Sequence, residues 1–224
     1  MIGVIENMPW YYYLARFLVN LLLRIITRWK VIGKENIPER GPLLVVSNHL
    51  HAYDPAVLGI SMDRIVIFMA KEELFQFKPR GYVLRGLGSF PVFRGKLDRR
   101  AIRRSQKLLA DGMALAMFPE GSRSESQKLQ PALAGSALIA IRSGAPILPA
   151  GITGTERFEW LGWFSRPKVT VNFGKPFYLP QGKGKVTREE LEEQTDSIMT
   201  RIAELLPPKY RGYYADKVAK GHED

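Results

Sequence analysis

Residues 43–55 read LLVVSNHLHAYDP, and this stretch decides how the chain folds. Its first four residues form a short apolar run with β-branched side chains, which predicts a buried strand. Asp54 and the proline after it predict a helix start, with the aspartate as the N-cap. His49 and Asp54 therefore lie on a loop that joins a strand to a helix. Ligands of open α/β sheets bind outside the carboxyl ends of such strands.

His49 and Asp54 are also residue types that move protons. An imidazole held by a carboxylate is the usual apparatus for taking a proton from a hydroxyl group. The pair therefore indicates an enzyme. The alternative is a structural histidine in a turn, satisfied by backbone groups, and these two side chains alone do not exclude it.

Strand and helix patterns alternate along most of the chain. Strands are predicted at residues 43–47, 64–69, 113–118, 146–151 and 168–173, and helices at residues 54–62, 71–77, 97–111 and 131–143. Such alternation is typical of an α/β fold with a mostly parallel central sheet flanked by helices. A capping box at residues 187–190 begins a further helix, and the tail from Lys209 to Asp224 is expected to be loosely docked.

The composition excludes several kinds of site. The chain has no cysteine, which excludes disulfides and thiolate metal sites. Its three histidines, His49, His51 and His222, show no recognisable zinc-ligand spacing, so no metal is expected. The 224 residues fit one large α/β domain with an appendage. We assign the domain to residues 33–224 and the appendage to residues 1–32.

The positive charge is concentrated in one block. The formal net charge is +11, and residues 78–107 contain ten basic residues against one acidic residue, Asp98. A concentrated positive field favours an anionic partner such as phosphate, nucleic acid or an acidic lipid surface. The alternative is an ordinary solvated helix face.

Residues 1–32 are predicted to form an amphipathic helix, or a short helical pair, that associates with a membrane. Residues 9–29 are apolar and aromatic, with polar interruptions every four residues at Arg16, Asn20, Arg24 and Arg28. No stretch reaches the roughly 18 uncharged residues of a spanning helix. The pattern favours a helix in the interface, with its arginine stripe toward lipid headgroups, at the cytoplasmic face. The alternative is a helix packed on the protein's own core or in a dimer.

A second charged loop, FPEGSRS at residues 118–124, follows another predicted strand. The planar fork of Arg123 suits phosphate. Glu120 is expected either to hold that arginine or to bind a substrate hydroxyl. Gly121 permits tight backbone geometry and a close approach of a ligand. Alone, this loop is weak support for a site.

Four segments in order resemble the sequence blocks of the glycerolipid acyltransferase family, whose best-known members are the 1-acylglycerol-3-phosphate acyltransferases. The segments are Asn48-His49 with Asp54-Pro55, Gly88 through Arg94, Phe118 through Arg123, and Ala145 through Gly151. Residues 71–75, KEELF, also resemble the family's continuation between its first two blocks. The resemblance covers about residues 34 to 175.

The resemblance implies transfer of a fatty acyl group from a thioester to the hydroxyl of 1-acylglycerol 3-phosphate, giving phosphatidic acid for phospholipid biosynthesis. His49 would be the general base, and Asp54 would hold its ring as the carboxylate of a hydrolase triad does. The acceptor would contact Arg94, Glu120, Gly121, Arg123 and, less directly, Lys71. No protein nucleophile is required, because the attacking hydroxyl belongs to the acceptor.

The expected partners follow from the same resemblance. The donor would be acyl-coenzyme A or acyl-acyl carrier protein, with no bound cofactor. The acceptor would be a lysophospholipid, and the surface would meet anionic lipid in a membrane. No nucleic acid is expected.

Three other readings stay open at this point. The acceptor of a same-family acyltransferase could be glycerol 3-phosphate, another lysolipid or a glycolipid. A non-catalytic basic module that binds membrane or nucleic acid would leave His49 and Asp54 unexplained. A thioesterase or lipid hydrolase would use water as the acceptor.

Overall fold

The computed structural model describes residues 8–93, 98–158, 165–180 and 186–220. The strands in these ranges are β1 (Arg28–Ile32), β2 (Leu43–Ser47), β3 (Val66–Lys71), β4 (Ser89–Val92), β5 (Ala114–Met117), β6 (Ile147–Thr153) and β7 (Lys168–Phe173). They form one sheet in the order β1-β7-β6-β2-β5-β3-β4.

Most neighbouring strands run parallel. The five strands from β6 through β2, β5 and β3 to β4 share one direction. β7 is antiparallel to β6, and β1 is parallel to β7, so the two strands at that edge run the other way. The predicted α/β class with a mostly parallel sheet is confirmed.

Helices cover both faces of the sheet. They are α1 (Trp10–Ile26), α2 (Asp54–Ser61), α3 (Glu73–Gln76), α4 (Lys78–Gly86), α5 (Arg99–Ala110), α6 (Gly135–Ser143), α7 (Arg188–Glu204) and α8 (Ala215–Lys220). Leu44 and Val46 of β2 pack in a core with α5, α6 and α7, whereas Leu43 and Val45 pack in a second core with α2. Because both faces are covered, β2 is continuously apolar rather than alternating.

The two strands at the edges of the sheet, β1 and β4, are absent from the sequence-based prediction. β1 alternates exposed and half-buried residues and follows α1 after one residue, so its pattern merges with the assigned N-terminal segment, residues 1–32. β4 has four residues and contains Pro91, which is tolerated at a sheet edge. Short edge strands with one open face carry a weak apolar signal.

Arg16, in the polar stripe of α1, turns toward the protein rather than toward lipid headgroups, whereas Arg24 of the same stripe is exposed. The Arg16 guanidinium donates to the carbonyl of Gly59 at 2.9 Å and also to the carbonyl of Met62. These carbonyls lie at the carboxyl end of α2, where the helix leaves acceptors open. Arg24 donates to Asn20 at 2.7 Å along the same stripe.

The opposite side of α1, here called the outer face, is apolar and exposed. Its large side chains are 45–75% exposed and recur at spacings of three and four residues: Trp10, Tyr13, Leu14, Phe17, Leu18, Leu21, Leu22 and Ile25. Among the described residues, no helix is both long and apolar enough to cross a bilayer.

Residues 209–220 of the carboxyl-terminal tail are docked, in contrast to the prediction, and residues 221–224 lie outside the described residues. The predicted capping box is present at Thr187 and Glu190, where α7 begins. After α7 the chain makes two short 3-10 turns and then α8, up to residue 220. Tyr210, Tyr214 and Val218 are buried in the core with α7, which holds the tail against the domain.

Candidate active site

His49 and Asp54 meet on the loop between β2 and α2. The Nδ1 atom of His49 lies 2.8 Å from Oδ2 of Asp54. Both side chains are buried, since Asp54 is 0% and His49 7% exposed. A proton on Nδ1 that is donated to Asp54 leaves the lone pair on Nε2, which makes Nε2 the basic atom of the ring.

The carboxylate of Asp54 also shapes the loop. Its Oδ2 accepts hydrogen bonds from the backbone N–H groups of Leu50, at 2.6 Å, and His51, at 2.7 Å. α2 begins at Asp54 itself, so the expected N-cap role is wrong by one position. The side chain turns back onto the preceding loop instead, because that loop presents two amides and an imidazole to it.

Asn48 ties the start of the loop to β6. Its side chain donates to the carbonyl of Ile152 at 2.8 Å and accepts from the amide of Ile152 at 2.7 Å. Asn48 therefore extends the β2–β6 pairing by one step, using a side-chain amide in place of a backbone one. This fixes the backbone directly before His49.

Glu120 joins the loop after β2, which carries His49, to its own loop after β5 through backbone amides. Its Oε1 accepts from the N–H of His49 at 3.0 Å, and its Oε2 accepts from the N–H of Gln130 at 2.9 Å. Burial raises the pKa of Glu120 to about 7, although the hydrogen bonds from Gln130 and His49 oppose that rise. The carboxylate holds the protein's own backbone rather than Arg123.

We expect the raised pKa of Glu120 to make stability depend on pH. Between pH 4.5, its ordinary pKa, and about 7, the native state holds a proton that the unfolded chain releases. This carboxyl therefore contributes stability that is present at low pH and is lost as the pH rises through its native pKa. Thermal melts from about pH 5 to about pH 8 should show this decline in the wild type and its absence in Glu120→Gln. Exposed Glu125→Gln is the control, and parallel curves for the wild type and Glu120→Gln would contradict the assignment.

Phe118 supports the imidazole of His49 from one side. Its ring stacks on His49 with centroids 4.1 Å apart and an angle of 18° between the planes. The N–H of Ser124 donates to the carbonyl of His49 at 2.8 Å. The loop after β5 therefore holds the backbone and the ring of His49 together.

The structure places the predicted acceptor-binding residues at different positions around this pair. Arg123 is exposed, lies directly before Ser124, and makes no hydrogen bond or ion pair with the other described residues. Lys71 ends β3 and pairs with Glu73 at 3.1 Å. Arg94 lies outside the described residues.

Gly121 sits where the loop turns beside an apolar cavity. Its φ of +73° is in the left-handed region, and a Cβ there would lie 2.8 Å from Leu133. The cavity has a volume of about 380 Å³ and is bordered by β3, β5, α5 and α6, with Phe118, Leu133 and Leu138 in its wall. Phe118 lines this cavity and stacks on His49, so a single ring links the cavity to the imidazole.

Several contacts that support His49 and Glu120 could not be predicted from the spacing of residues in the sequence. Phe118 could be suspected because it begins the FPEG loop, but its stacking on His49 depends on the fold. Gln130 and Ile152 act through backbone atoms, for which side-chain identity carries no signal. No group of three or more potential metal ligands occurs among the residues that the structure describes.

Comparisons with known proteins agree with this geometry. The model of the family named Acyltransferase matches residues 28–153. A 1-acyl-sn-glycerol-3-phosphate acyltransferase of Bacillus subtilis (strain 168) is 31% identical over 177 residues, covering 79% of this chain and 87% of that protein. The enzyme of that name from Streptococcus pneumoniae is 31% identical over 210 residues, covering 90% of this chain and 75% of the relative.

A solved structure is similar as well. The crystal structure of the 1-acyl-sn-glycerophosphate (LPA) acyltransferase PlsC from Thermotoga maritima matches with a TM-score of 0.62 and 26% identity. The match covers 87% of this chain and 86% of that one.

Proposed function

The chain belongs to the acyltransferase family, and we propose that it transfers a fatty acyl group from a thioester to 1-acylglycerol 3-phosphate, forming phosphatidic acid. The observation that carries the proposal is the 2.8 Å contact between His49 and Asp54, with Phe118 between the imidazole and an apolar cavity. This is a base and its orienting carboxylate beside a space for an alkyl chain.

His49 is the general base of the proposed reaction. Nε2 takes the proton of the acceptor hydroxyl as its oxygen attacks the thioester carbonyl. The carbon–sulfur bond then breaks, and the imidazolium returns the proton to the departing thiolate. Asp54 stabilises the imidazolium while it carries that proton.

The apolar cavity accommodates the acyl chain of the donor. Most of its lining is aliphatic or aromatic, and about 380 Å³ is large enough for part of a fatty chain. Transfer of alkyl groups out of water contributes roughly 0.8 kcal/mol per methylene. The thioester carbonyl at the cavity mouth would then lie next to His49.

Arg123 binds the phosphate of the acceptor, and Lys71, at the end of β3, is a further cationic group for it. The sequence adds Arg94 to this set. We expect Arg123→Ala to raise the KM for 1-acylglycerol 3-phosphate about tenfold, since a hydrogen bond to a charged group contributes about 1.5–3 kcal/mol. The KM for the thioester should stay nearly constant. Steady-state kinetics against each substrate measure this, with Arg40→Ala before β2 as the matched control. A larger effect on the thioester KM would move Arg123 to the donor site.

The function is tested by a lipid-product assay with purified protein. Acyl-coenzyme A and acyl-acyl carrier protein are each supplied with a panel of acceptors: 1-acylglycerol 3-phosphate, glycerol 3-phosphate, a lysophospholipid with a larger headgroup and a glycolipid. Phosphatidic acid should be the main product. Equal rates with phosphate-free acceptors would contradict the acceptor assignment, and acceptor-independent release of fatty acid would indicate a thioesterase.

We also propose that the outer face of α1 lies in the surface of a membrane, at its cytoplasmic side. Its eight large apolar side chains form a continuous exposed stripe, which is unusual in size for a protein surface. Insertion of each half-exposed side chain contributes about 1 kcal/mol. Since Arg16 points into the protein, the apolar side chains of the outer face can enter lipid without burying the charge of Arg16.

We expect Phe17→Gln combined with Leu21→Gln to release the protein from anionic vesicles in a flotation assay. Both side chains are exposed on the outer face, at 63% and 45%, so the fold should persist. Exposed Tyr178→Gln, at 68%, is the control. Unchanged flotation would place the membrane contact elsewhere. Deletion of residues 1–30 is a poorer test, because it removes the start of β1.

A further inference from the structure

A cationic groove lies on the opposite side of the catalytic loop from the apolar cavity. It has a volume of about 410 Å³ and is bordered by β1, β6, β7 and the segment after α7. Exposed cationic side chains surround it: Lys30, Arg157, Lys168 and Lys209. Its floor contains the polar side chains Thr153, Thr170 and Asn172.

The charge of this groove is not balanced by the carboxylates nearby. Within the described part of the chain, none of the four cations forms an ion pair with a carboxylate. Glu156 is next to Arg157 in sequence, but its oxygens accept from Tyr210 Oη at 2.6 Å and from the N–H of Gly154 at 2.8 Å. A concave site with several unpaired cations attracts polyanions.

The groove and the apolar cavity open on the same face of the sheet. Val169 and Val171 of β7 face the core with α2, so the alternate residues Thr170 and Asn172 face the side of α5, α6 and α7. Helices α5 and α6 also border the apolar cavity. One extended ligand can therefore reach both.

The strand order places His49 between the two cavities. The apolar cavity lies over β3 and β5, His49 follows β2, and the groove lies over β6, β7 and β1. Lys30 is on β1, which is three strands from β2 and therefore roughly 14 Å away. A flexible arm of this length is what separates the thioester from the phosphates in coenzyme A.

The walls of the groove are connected to the catalytic loops. The carbonyl of Tyr210 accepts from the N–H of Leu129 at 2.8 Å, directly before Gln130, which holds Glu120. Gly154 begins the turn that leads to Phe158, whose ring lies 5.9 Å from that of His51. The groove is therefore held in a fixed position relative to His49.

We infer that this groove binds the 3′-phosphorylated adenosine diphosphate of an acyl-coenzyme A donor. The inference rests on the proposed function, and it assigns the donor's nucleotide to Lys30, Arg157, Lys168 and Lys209. The acyl chain enters the apolar cavity, the thioester reaches His49, and the phosphates meet the cations on the far side. The described part of the basic block, residues 78–93 and 98–107, lies on the other side of His49 and is available to lipid or acceptor phosphates.

The test is direct binding of adenosine 3′,5′-bisphosphate and of free coenzyme A, measured by titration calorimetry on the full chain. We expect Lys30→Glu combined with Lys168→Glu to raise both dissociation constants about tenfold, and rising salt to weaken wild-type binding. Lys175→Glu, exposed beyond the opposite end of β7, is the matched control. Circular dichroism checks that each variant is folded. Because this binding measurement needs no turnover, its result does not depend on whether the proposed reaction is correct.

Steady-state kinetics then distinguish binding of the coenzyme A phosphates from binding of the acceptor phosphate. The double variant should raise the KM for acyl-coenzyme A, leave the KM of the acceptor and kcat unchanged, and behave as the wild type with acyl-pantetheine, which lacks the nucleotide. Equal nucleotide binding in the wild type and the variant would overturn the inference. It would also be overturned if Arg103→Glu on α5 removed binding instead, or if only acyl-acyl carrier protein kinetics changed.

Discussion

Replacing His49 with alanine is expected to lower the rate of acyl transfer by about 10³-fold while leaving the protein folded. General-base catalysis contributes about 10²–10⁴-fold, and loss of the imidazole removes the proton acceptor and the proton donor of the leaving thiolate together. The hydrogen bonds of the His49 backbone with Glu120 and Ser124 survive the substitution. The KM values should therefore change much less than kcat.

The measurement is steady-state turnover of purified His49→Ala, with thermal melting to confirm the fold. His51→Ala is the matched control, because it removes an imidazole two residues away and keeps the backbone N–H of residue 51 that donates to Asp54. That control should retain most of the activity. Near-normal turnover in His49→Ala would remove His49 from the reaction.

Asp54→Asn is expected to lower kcat by a similar factor, about 10³-fold, and also to destabilise the protein. The carboxylate oxygen Oδ2 accepts from His49, Leu50 and His51 together. An asparagine keeps one acceptor oxygen, but it carries no charge to stabilise an imidazolium and can favour the wrong tautomer. The weakened hydrogen bonds at a buried site cost about 1–3 kcal/mol in the free energy of unfolding.

Chemical denaturation and turnover of the same Asp54→Asn preparation separate these two effects. Asp63→Asn is the control, since Asp63 is exposed after α2 and only pairs with Lys34. A folded Asp54→Asn protein whose kcat is within about tenfold of the wild type would contradict the role of Asp54.

The sequence predicts the structure best where a local pattern defines an element and the parallel order of the sheet then fixes its neighbours. The strand at residues 43–47 and the helix after it were predictable, because an apolar run and an Asp-Pro pair are local signals. The meeting of the His49 and FPEG loops follows from the parallel order of β2 and β5, whose carboxyl ends share one edge. The family resemblance itself is confirmed, since the Acyltransferase family model matches residues 28–153.

Other features depend on partners that a sequence does not display. Arg16 was predicted to point toward lipid headgroups with the rest of the polar stripe of α1, but it donates to open carbonyls at the end of α2 instead. The tail was expected to be loose, yet Tyr214 is 1% exposed and fills the core beside α7. Glu120 joins two loops through backbone amides, which have no side-chain signature.

A search for a covalent acyl-enzyme distinguishes direct attack by the acceptor from a two-step transfer. In the proposed reaction the acceptor hydroxyl, deprotonated by His49, attacks the thioester itself. Purified protein is mixed with acyl-coenzyme A alone, quenched in acid and examined by intact-protein mass spectrometry. We expect no acyl adduct, and product only after the acceptor is added. An acylated serine near the site, such as Ser122 or Ser124, that passes its acyl group to the acceptor at the rate of turnover would contradict direct attack.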